Sequence, residues 1–331
     1  MKAGRWLGAA LALVAIGGNA FADGVTLRAS HQFPGGKRDI RDDTLQLFAR
    51  SVKAANVGLT VQVYPDASLF KPKDQWNALV GGQLDIALFP LDYASDKVPV
   101  FAVTLMPGLI RSQERAKRVN HSRFMKDIRA EIGSHGVIVL SDAWFAGGMA
   151  AKGECILRPK DVKGTKFRAA GPTFAAMWEA AGASIVSPPS NEIYDAFRAG
   201  VINATDTSLD SVASMRLYEV TSCLTAPGDN ALWFMYEPVL MSKKSFERLE
   251  PRQQRALIEA GRKAQAYYEN KAEDVNRAAI KAFEQHKARV VTLSDTDYDA
   301  WLEVAEKSAY ARFGQDVPNG RQLIEEALSV K

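Results

Sequence analysis

Residues 25–29 (Val-Thr-Leu-Arg-Ala) alternate apolar and polar positions, the period of a half-buried strand, and run into a Ser-His-Gln-Phe-Pro-Gly-Gly loop rich in turn formers. Within residues 39–54, Ile40, Leu45, Leu47, Phe48 and Val52 recur at helical spacing, and residues 59–64 alternate again. Strand, helix, strand is the opening of an α/β unit with a parallel pair. Residues 73–80 predict a second helix, stopped by Gly81 and Gly82, and residues 84–89 a third strand ending at Pro90-Leu91-Asp92-Tyr93. Ligands of open α/β sheets sit outside the carboxyl ends of the strands. The loops at 31–33 and 89–93 are therefore candidates for one wall of a cleft.

A polar amphipathic helix is expected over 114–132 and a short strand over 137–140. Trp144 and Phe145, followed by Gly147 and Gly148, suggest a bend where the chain enters a second lobe. That lobe would hold a strand ending at Arg168, a helix over 174–181, a strand over 184–186, a helix over 193–197 and a strand and loop over 202–209. Residues 231–241 are too long an apolar run for one buried strand, and read as a crossover back to the first lobe. From Pro251 to about His286 no breaker interrupts a stretch with Leu257, Ala260, Ala264, Tyr268, Val275, Ala279 and Phe283 near one face. At about 1.5 Å per residue such a helix reaches about 50 Å, long enough to run along both lobes. A strand over 290–293 and a helix from Asp295 to about Phe313 complete the pattern. The expected organisation is α/β with two lobes joined by more than one crossing: 23–145 with about 235–270 in lobe I, 146–234 with about 271–331 in lobe II.

Met1-Lys2-Ala3-Gly4-Arg5, an apolar run to Ile16 and Ala20-Phe21-Ala22 form the pattern of a secretory signal peptide, so residues 1–22 are expected to be cleaved after Ala22 and the protein exported to the periplasm. The run is shorter than the roughly 20 residues that span a bilayer. Loss of Lys2 and Arg5 takes the formal net charge from +4 to +2. The remaining basic residues are interspersed with acids, which argues against a nucleic-acid partner. The two cysteines, Cys155 and Cys223, are expected to pair in an oxidising compartment, with two buried thiols as the alternative.

The chain carries no H-E-x-x-H, G-x-S-x-G, P-loop or G-x-G-x-x-G motif, and its four histidines have no metal-ligand spacing. An enzyme using His31 or Asp92 as base would lack any nucleophile or metal pattern, so no catalysis and no cofactor are expected. His31 lies in a cleft loop, where a hydrogen-bonding or packing role is expected. Arg168 ends a strand-like run between a Pro159-Lys160-Asp161 turn and an apolar helix, placing its guanidinium where a small carboxylate could be taken bidentately. Phe89, Trp144, Phe145, Trp233 and Phe234 fall at the third strand end or at the crossings, where they either fill core or wall a ligand pocket.

Asp161-Val-Lys-Gly-Thr-Lys-Phe-Arg168 and Glu192-Ile-Tyr-Asp-Ala-Phe-Arg-Ala-Gly200-Val-Ile-Asn203, with Leu-Phe-Lys-Pro-Lys-Asp-Gln at 69–75, Gly-Gly-Gln-Leu-Asp-Ile-Ala at 81–87 and Pro-Val-Leu-Met-Ser-Lys-Lys-Ser-Phe at 238–246, resemble the DctP-type substrate-binding proteins of tripartite ATP-independent periplasmic (TRAP) transporters. The resemblance covers nearly the whole mature chain. It implies a two-lobed periplasmic binding protein fold, hinged by crossing strands and a long helix, that closes on an organic acid and delivers it to membrane subunits. It makes Arg168 the main carboxylate ligand, with Thr207 and Asp206 as polar neighbours and Trp144, Phe145, Trp233 and Phe234 as walls. Many members carry a second arginine where this chain aligns Gly148, and an asparagine where it has Thr207. The segment Met106-Pro107-Gly108 also lacks the usual aromatic after proline. One anchor, a lost second charge and surplus aromatics lead us to expect a monocarboxylate with an apolar or aromatic body, bound by a monomer. C4-dicarboxylate or sugar-acid binding, or presentation to a sensor kinase, are the alternatives.

Overall fold

The computed structural model describes residues 24–36, 38–229 and 231–330; the signal-peptide reading of 1–22 lies outside them. The strands are β1 (Val25–Ser30), β2 (Leu59–Tyr64), β3 (Ile86–Leu88), β4 (Val137–Ser141), β5 (Trp144–Ala151), β6 (Lys166–Arg168), β7 (Ser184–Val186), β8 (Ala204–Ser208), β9 (Cys223–Ala226), β10 (Phe234–Tyr236), β11 (Val239–Ser242) and β12 (Arg289–Thr292). They form two sheets, β2-β1-β3-β11-β4 and β12-β9-β5-β8-β6-β7, one per lobe. β1 pairs in parallel with β2 and with β3, while β11 runs antiparallel between β3 and β4. In the second sheet β6 pairs in parallel with β7 and β8, and β5 runs antiparallel to β8 and β9.

Two segments cross between the lobes. One passes from β4 to β5 through Asp142-Ala143, the other from β10 to β11 through Glu237-Pro238. They are tied to each other, since β10 pairs antiparallel with the start of β5 and the Glu237 amide donates to the Ala143 carbonyl at 2.9 Å. The bend expected at Trp144 to Gly148 is instead an unbroken strand, and the turn precedes it. Strand alternation explains the aromatic pair: Trp144 packs on Tyr236 in the first lobe's core, while its neighbour Phe145 faces the opposite way onto Tyr268.

The helix Pro251–Gln285 is continuous over 35 residues, with proline in its first turn and Gln253 accepting from the Glu250 amide. Leu257, Ala260 and Ala264 belong to the first lobe's core, whereas Ala279 and Phe283 pack with Ile193, Leu209 and Val212 of the second. Between these ends one face of the helix follows the crossing strand. Gly261 abuts the Leu140 carbonyl, Gln265 accepts from the Asp142 amide at 3.2 Å, and the Tyr268 hydroxyl donates to the Trp144 carbonyl at 2.7 Å.

Several elements depart from the sequence pattern. The helix expected over 114–132 is two, Gln113–Val119 and Arg123–Ser134, because Ser122 caps the second by accepting from the Met125 amide. Ser208 likewise ends β8 early by capping the helix Leu209–Ser214. β9 and the last helix, Gly320–Ser329, have no counterpart in the pattern. That last helix packs against Arg123–Ser134, so the tail returns to the first lobe and is not confined to the second. Arg115 holds its end by donating to the carbonyls of Ala327 and Leu328, at 2.9 and 3.1 Å.

Cys155 and Cys223 are joined by a disulfide closing a separation of 68 residues, which ties β9 to the segment that follows β5.

The close approach at Gly261 is testable. A Cβ there would stand 2.0 Å from the Leu140 carbonyl oxygen, whereas at Gly133, in another helix, it would meet nothing within 4 Å. Gly261→Ala should destabilise by about 1–3 kcal/mol despite the better helix propensity of alanine. Gly133→Ala should stabilise by about 0.5–1 kcal/mol. Chemical denaturation of both variants checks this.

Candidate functional site at the lobe interface

Arg168 is the last residue of β6 and is fully buried. Its Nη1 donates to the Asp206 carbonyl at 2.7 Å and its Nε to the Pro188 carbonyl at 3.0 Å. Its Nη2 donates at 3.2 Å to the Tyr93 hydroxyl, which the first lobe supplies just beyond β3. Three of the five guanidinium N–H groups are thus committed, and one further N–H on each terminal nitrogen lies outside these bonds.

Asp206, its expected polar neighbour on β8, is a positioning residue. One carboxylate oxygen accepts from the Ala170 amide and the other from the Trp178 indole, both at 2.7 Å, and Oδ1 stands 3.6 Å from Arg168 Nη1. Burial pushes its pKa up to about 6 against the opposing pull of Arg168. The carboxylate is therefore spent on holding the arginine and the turn into the helix Pro172–Ala180. Thr207, next along β8, is buried and pairs with Gly148.

The lobes meet around Tyr93. Its hydroxyl also accepts from the Ser190 amide at 2.9 Å and from Gln32 Nε2 at 3.3 Å, and Gln32 Nε2 lies 2.7 Å from the Ser190 hydroxyl. Thr173 donates to the Leu105 carbonyl at 3.0 Å. Asp92, beside Tyr93, is buried with neither carboxylate oxygen hydrogen-bonded among the described residues, and burial raises its pKa to about 7 although Arg168 pulls it down.

A second buried arginine lies deeper in the interface. Arg41 grips Asp39 through Nε and Nη2 at 2.7 and 2.6 Å, and donates to the hydroxyls of Ser208 and Ser211 at 3.1 and 3.0 Å. It also donates to Glu237 at 3.4 Å, and its guanidinium lies 3.5 Å from the centre of the Phe33 ring. All five of its N–H groups are engaged, so Arg41 pins the first lobe to the second and to a crossing segment. Burial raises the nearby Glu237 to about 8 and Asp210 to about 7, each opposed by Arg41, whereas Arg41 and its other contacts hold Asp39 below the usual carboxylate range despite its burial.

The other sequence candidates are distributed less simply. Trp144 donates to Asn120 at 2.7 Å inside the first lobe's core, and Phe89 stacks there on Trp76. Phe234 belongs to that core as well, and Phe89 also meets the Tyr93 ring edge-on at 6.3 Å. His31 is buried, paired with Asp42 at 3.1 Å and accepting from the Phe33 amide, which makes it a brace for its own loop. A side chain at Gly148 would run into Leu209 and the Thr225 carbonyl; at Gly147 it would collide with the Trp233 ring. Trp233 packs on Phe174 at 4.7 Å with its indole N–H unpartnered among the described residues, and the Phe145 ring centre lies 5.4 Å from the Arg41 guanidinium.

The family profile of DctP, the bacterial extracellular solute-binding protein family 7, matches residues 35–316. The chain belongs to this family. A solute-binding protein of Albidiferax ferrireducens is 37% identical over 301 residues, covering 89% of this chain and 88% of the relative. The crystal structure of a TRAP periplasmic solute-binding protein from Rhodoferax ferrireducens, with bound malonate, superposes with a TM-score of 0.89 at 34% identity, over 92% of this chain and 98% of that one. DctP7 of Bordetella pertussis, an extracytoplasmic receptor binding pyroglutamic acid, shares the fold at a TM-score of 0.83 and 19% identity, over 92% and 99% of the two chains.

The buried acids give this member a characteristic pH response. Asp92, Asp206, Asp210 and Glu237 all have folded-state pKa values above those of free carboxyls, so the folded protein binds more protons than the unfolded chain between about pH 4 and about pH 8. The stability they contribute is fully present at the acid end of that window and is lost as pH rises through it. The thermal midpoint of the ligand-free protein should therefore climb from about pH 8.5 to about pH 5.5. A flat or falling curve over that range would contradict the assignment.

Proposed function

We propose that this protein is the periplasmic receptor of a TRAP transporter, exported by the leader at residues 1–22, and that it holds a small organic-acid anion between its lobes with Arg168 as the anchor. The observation that carries the reading is the state of Arg168: fully buried, fixed by two carbonyls and a phenol, and facing a carboxylate already committed elsewhere. A guanidinium so placed is preorganised for an incoming carboxylate, since its rotamer is fixed before the ligand arrives. The two crossings and the long helix supply a hinge, and a ligand touching both lobes stabilises the closed form by its differential affinity. Lobe I then comprises 23–145 and about 235–270, and lobe II the remainder, except that the last helix docks back on lobe I.

For the ligand we favour a monocarboxylate with a largely apolar or aromatic body, taken up by a monomer and handed to the membrane subunits. Arg168 is the anchor with uncommitted donors, since Arg41 is saturated by protein groups, and Trp233, Phe174 and Phe145 belong to the apolar cluster that contains Ala169 and Ala170, the residues following Arg168. A short dicarboxylate is the second reading, favoured by the malonate in the Rhodoferax relative.

Thermal-shift and calorimetric titrations with aliphatic and aromatic monoacids, malonate and succinate test both. A monoacid at one hundred times its Kd should stabilise the wild type by about 2.7 kcal/mol. Arg168→Gln should lose binding of every acid. Retained affinity in that variant contradicts the anchor, and tighter binding of malonate or succinate than of any monoacid decides for the second reading.

A further inference from the structure

Asp92 is the buried acid of the interface with both carboxylate oxygens unpartnered among the described residues. Asp39 is paired with Arg41, Glu237 accepts from Arg41 and Asp206 accepts two hydrogen bonds, while Asp210 leaves one oxygen, Oδ1, unpartnered. Leaving a buried carboxyl without partners costs stability, so its retention in a cleft asks for a use. Its surroundings point to one. Asp92 lines a crevice of about 140 Å³ at the seam between the lobes, together with Lys73, Tyr93, Asp96, Gly171 and Ser187. Gly171 makes room for it, because a Cβ at that position would stand 2.8 Å from Asp92 Oδ2.

The same seam contains the anchor. Arg168 donates to the hydroxyl of Tyr93, the residue after Asp92, and the chain leaving Arg168 forms the crevice wall at Ala170 and Gly171. A guanidinium with two uncommitted donors and an acceptor without a donor are therefore linked through Tyr93, one from each lobe.

We propose that Asp92 is a specificity-determining residue of the ligand site, accepting a hydrogen bond from a hydroxyl, amine or lactam N–H carried beside the carboxylate that Arg168 holds. The inference rests on the receptor reading above and narrows it: the preferred ligand is an acid whose otherwise apolar body bears one donor near its carboxylate. A donor-bearing acid gains this hydrogen bond on binding and its donor-free analogue does not, so the acceptor raises the affinity of the first relative to the second. The contact also draws the lobes together, since Asp92 belongs to the first and Arg168 to the second.

The test compares matched acids that differ only in the donor: lactate with propionate, mandelate with phenylacetate, and proline with cyclopentanecarboxylate, titrated by calorimetry into the wild-type protein, Asp92→Asn, Asp92→Ala and Arg168→Gln. In the wild type at least one donor-bearing acid should bind about tenfold or more tighter than its partner. Asp92→Ala should erase that difference, with the donor-free partner's affinity held within about threefold, and Asp92→Asn should reduce it. Thermal midpoints of the ligand-free variants establish that they fold, and should not fall, because an unpartnered buried carboxyl has been removed. Equal affinities within every pair in the wild type, a preference that survives Asp92→Ala, or malonate bound more tightly than any donor-bearing monoacid would overturn the assignment of Asp92. Failure of the receptor reading is distinguishable: no acid then binds the wild type, or Arg168→Gln binds as well as the wild type, and the inference falls with it.

Discussion

A buried guanidinium whose protein partners are mostly neutral is the constraint on which this interface depends. Taking a cation out of water costs several kcal/mol unless it is paired and its donors are satisfied. Arg168 meets that demand only in part: carbonyls and a phenol fix its plane, while the nearest carboxylate is held 3.6 Å away by an amide and an indole. The arrangement keeps Asp206 from collapsing onto the arginine as a full bidentate partner. It leaves a positive site that an external anion can complete.

The contrast with Arg41 shows what a saturated arginine does in the same protein. There a bidentate carboxylate, two hydroxyls and a second acid take every donor, and the result is a joint between the start of the helix Ile40–Ala54, the end of β8 and a crossing segment. The long helix adds the mechanical part. Gly261, Gln265 and Tyr268 follow the backbone of the crossing strand from β4 into β5, so the helix is fastened along that crossing. Two arginines of one chemical type thus differ in state: one has every donor taken beside a crossing segment, the other keeps two donors outside its protein bonds.

Much of the architecture was legible because it follows from local pattern. β1 to β3, the crossing at 231–241 and the uninterrupted stretch after Pro251 carry the periods that strands and helices require. Arg168 stood out for its place at a strand end. Arg41 did not, since the run Arg38-Asp39-Ile40-Arg41-Asp42-Asp43 has the composition of a solvated helix start. The remaining donors of Arg41 are covered by Ser208, Ser211 and Glu237, more than 160 residues away in sequence. The crossing aromatics mark the limit of pattern reading. Alternation says that Trp144 and Phe145 point to opposite faces, but which face is core and which is cleft depends on where the second lobe settles. Asp92 fell within a loop flagged as a cleft wall, yet its lack of partners is a property of the folded interface.

The central claim, that Arg168 is the carboxylate anchor between the lobes, is tested most directly by a crystal structure of the protein with its tightest-binding acid. The account predicts the ligand carboxylate within about 3 Å of both Arg168 Nη1 and Nη2, with protein groups of both lobes around it. A carboxylate seated elsewhere, with Arg168 still bonded only to protein groups, would contradict it.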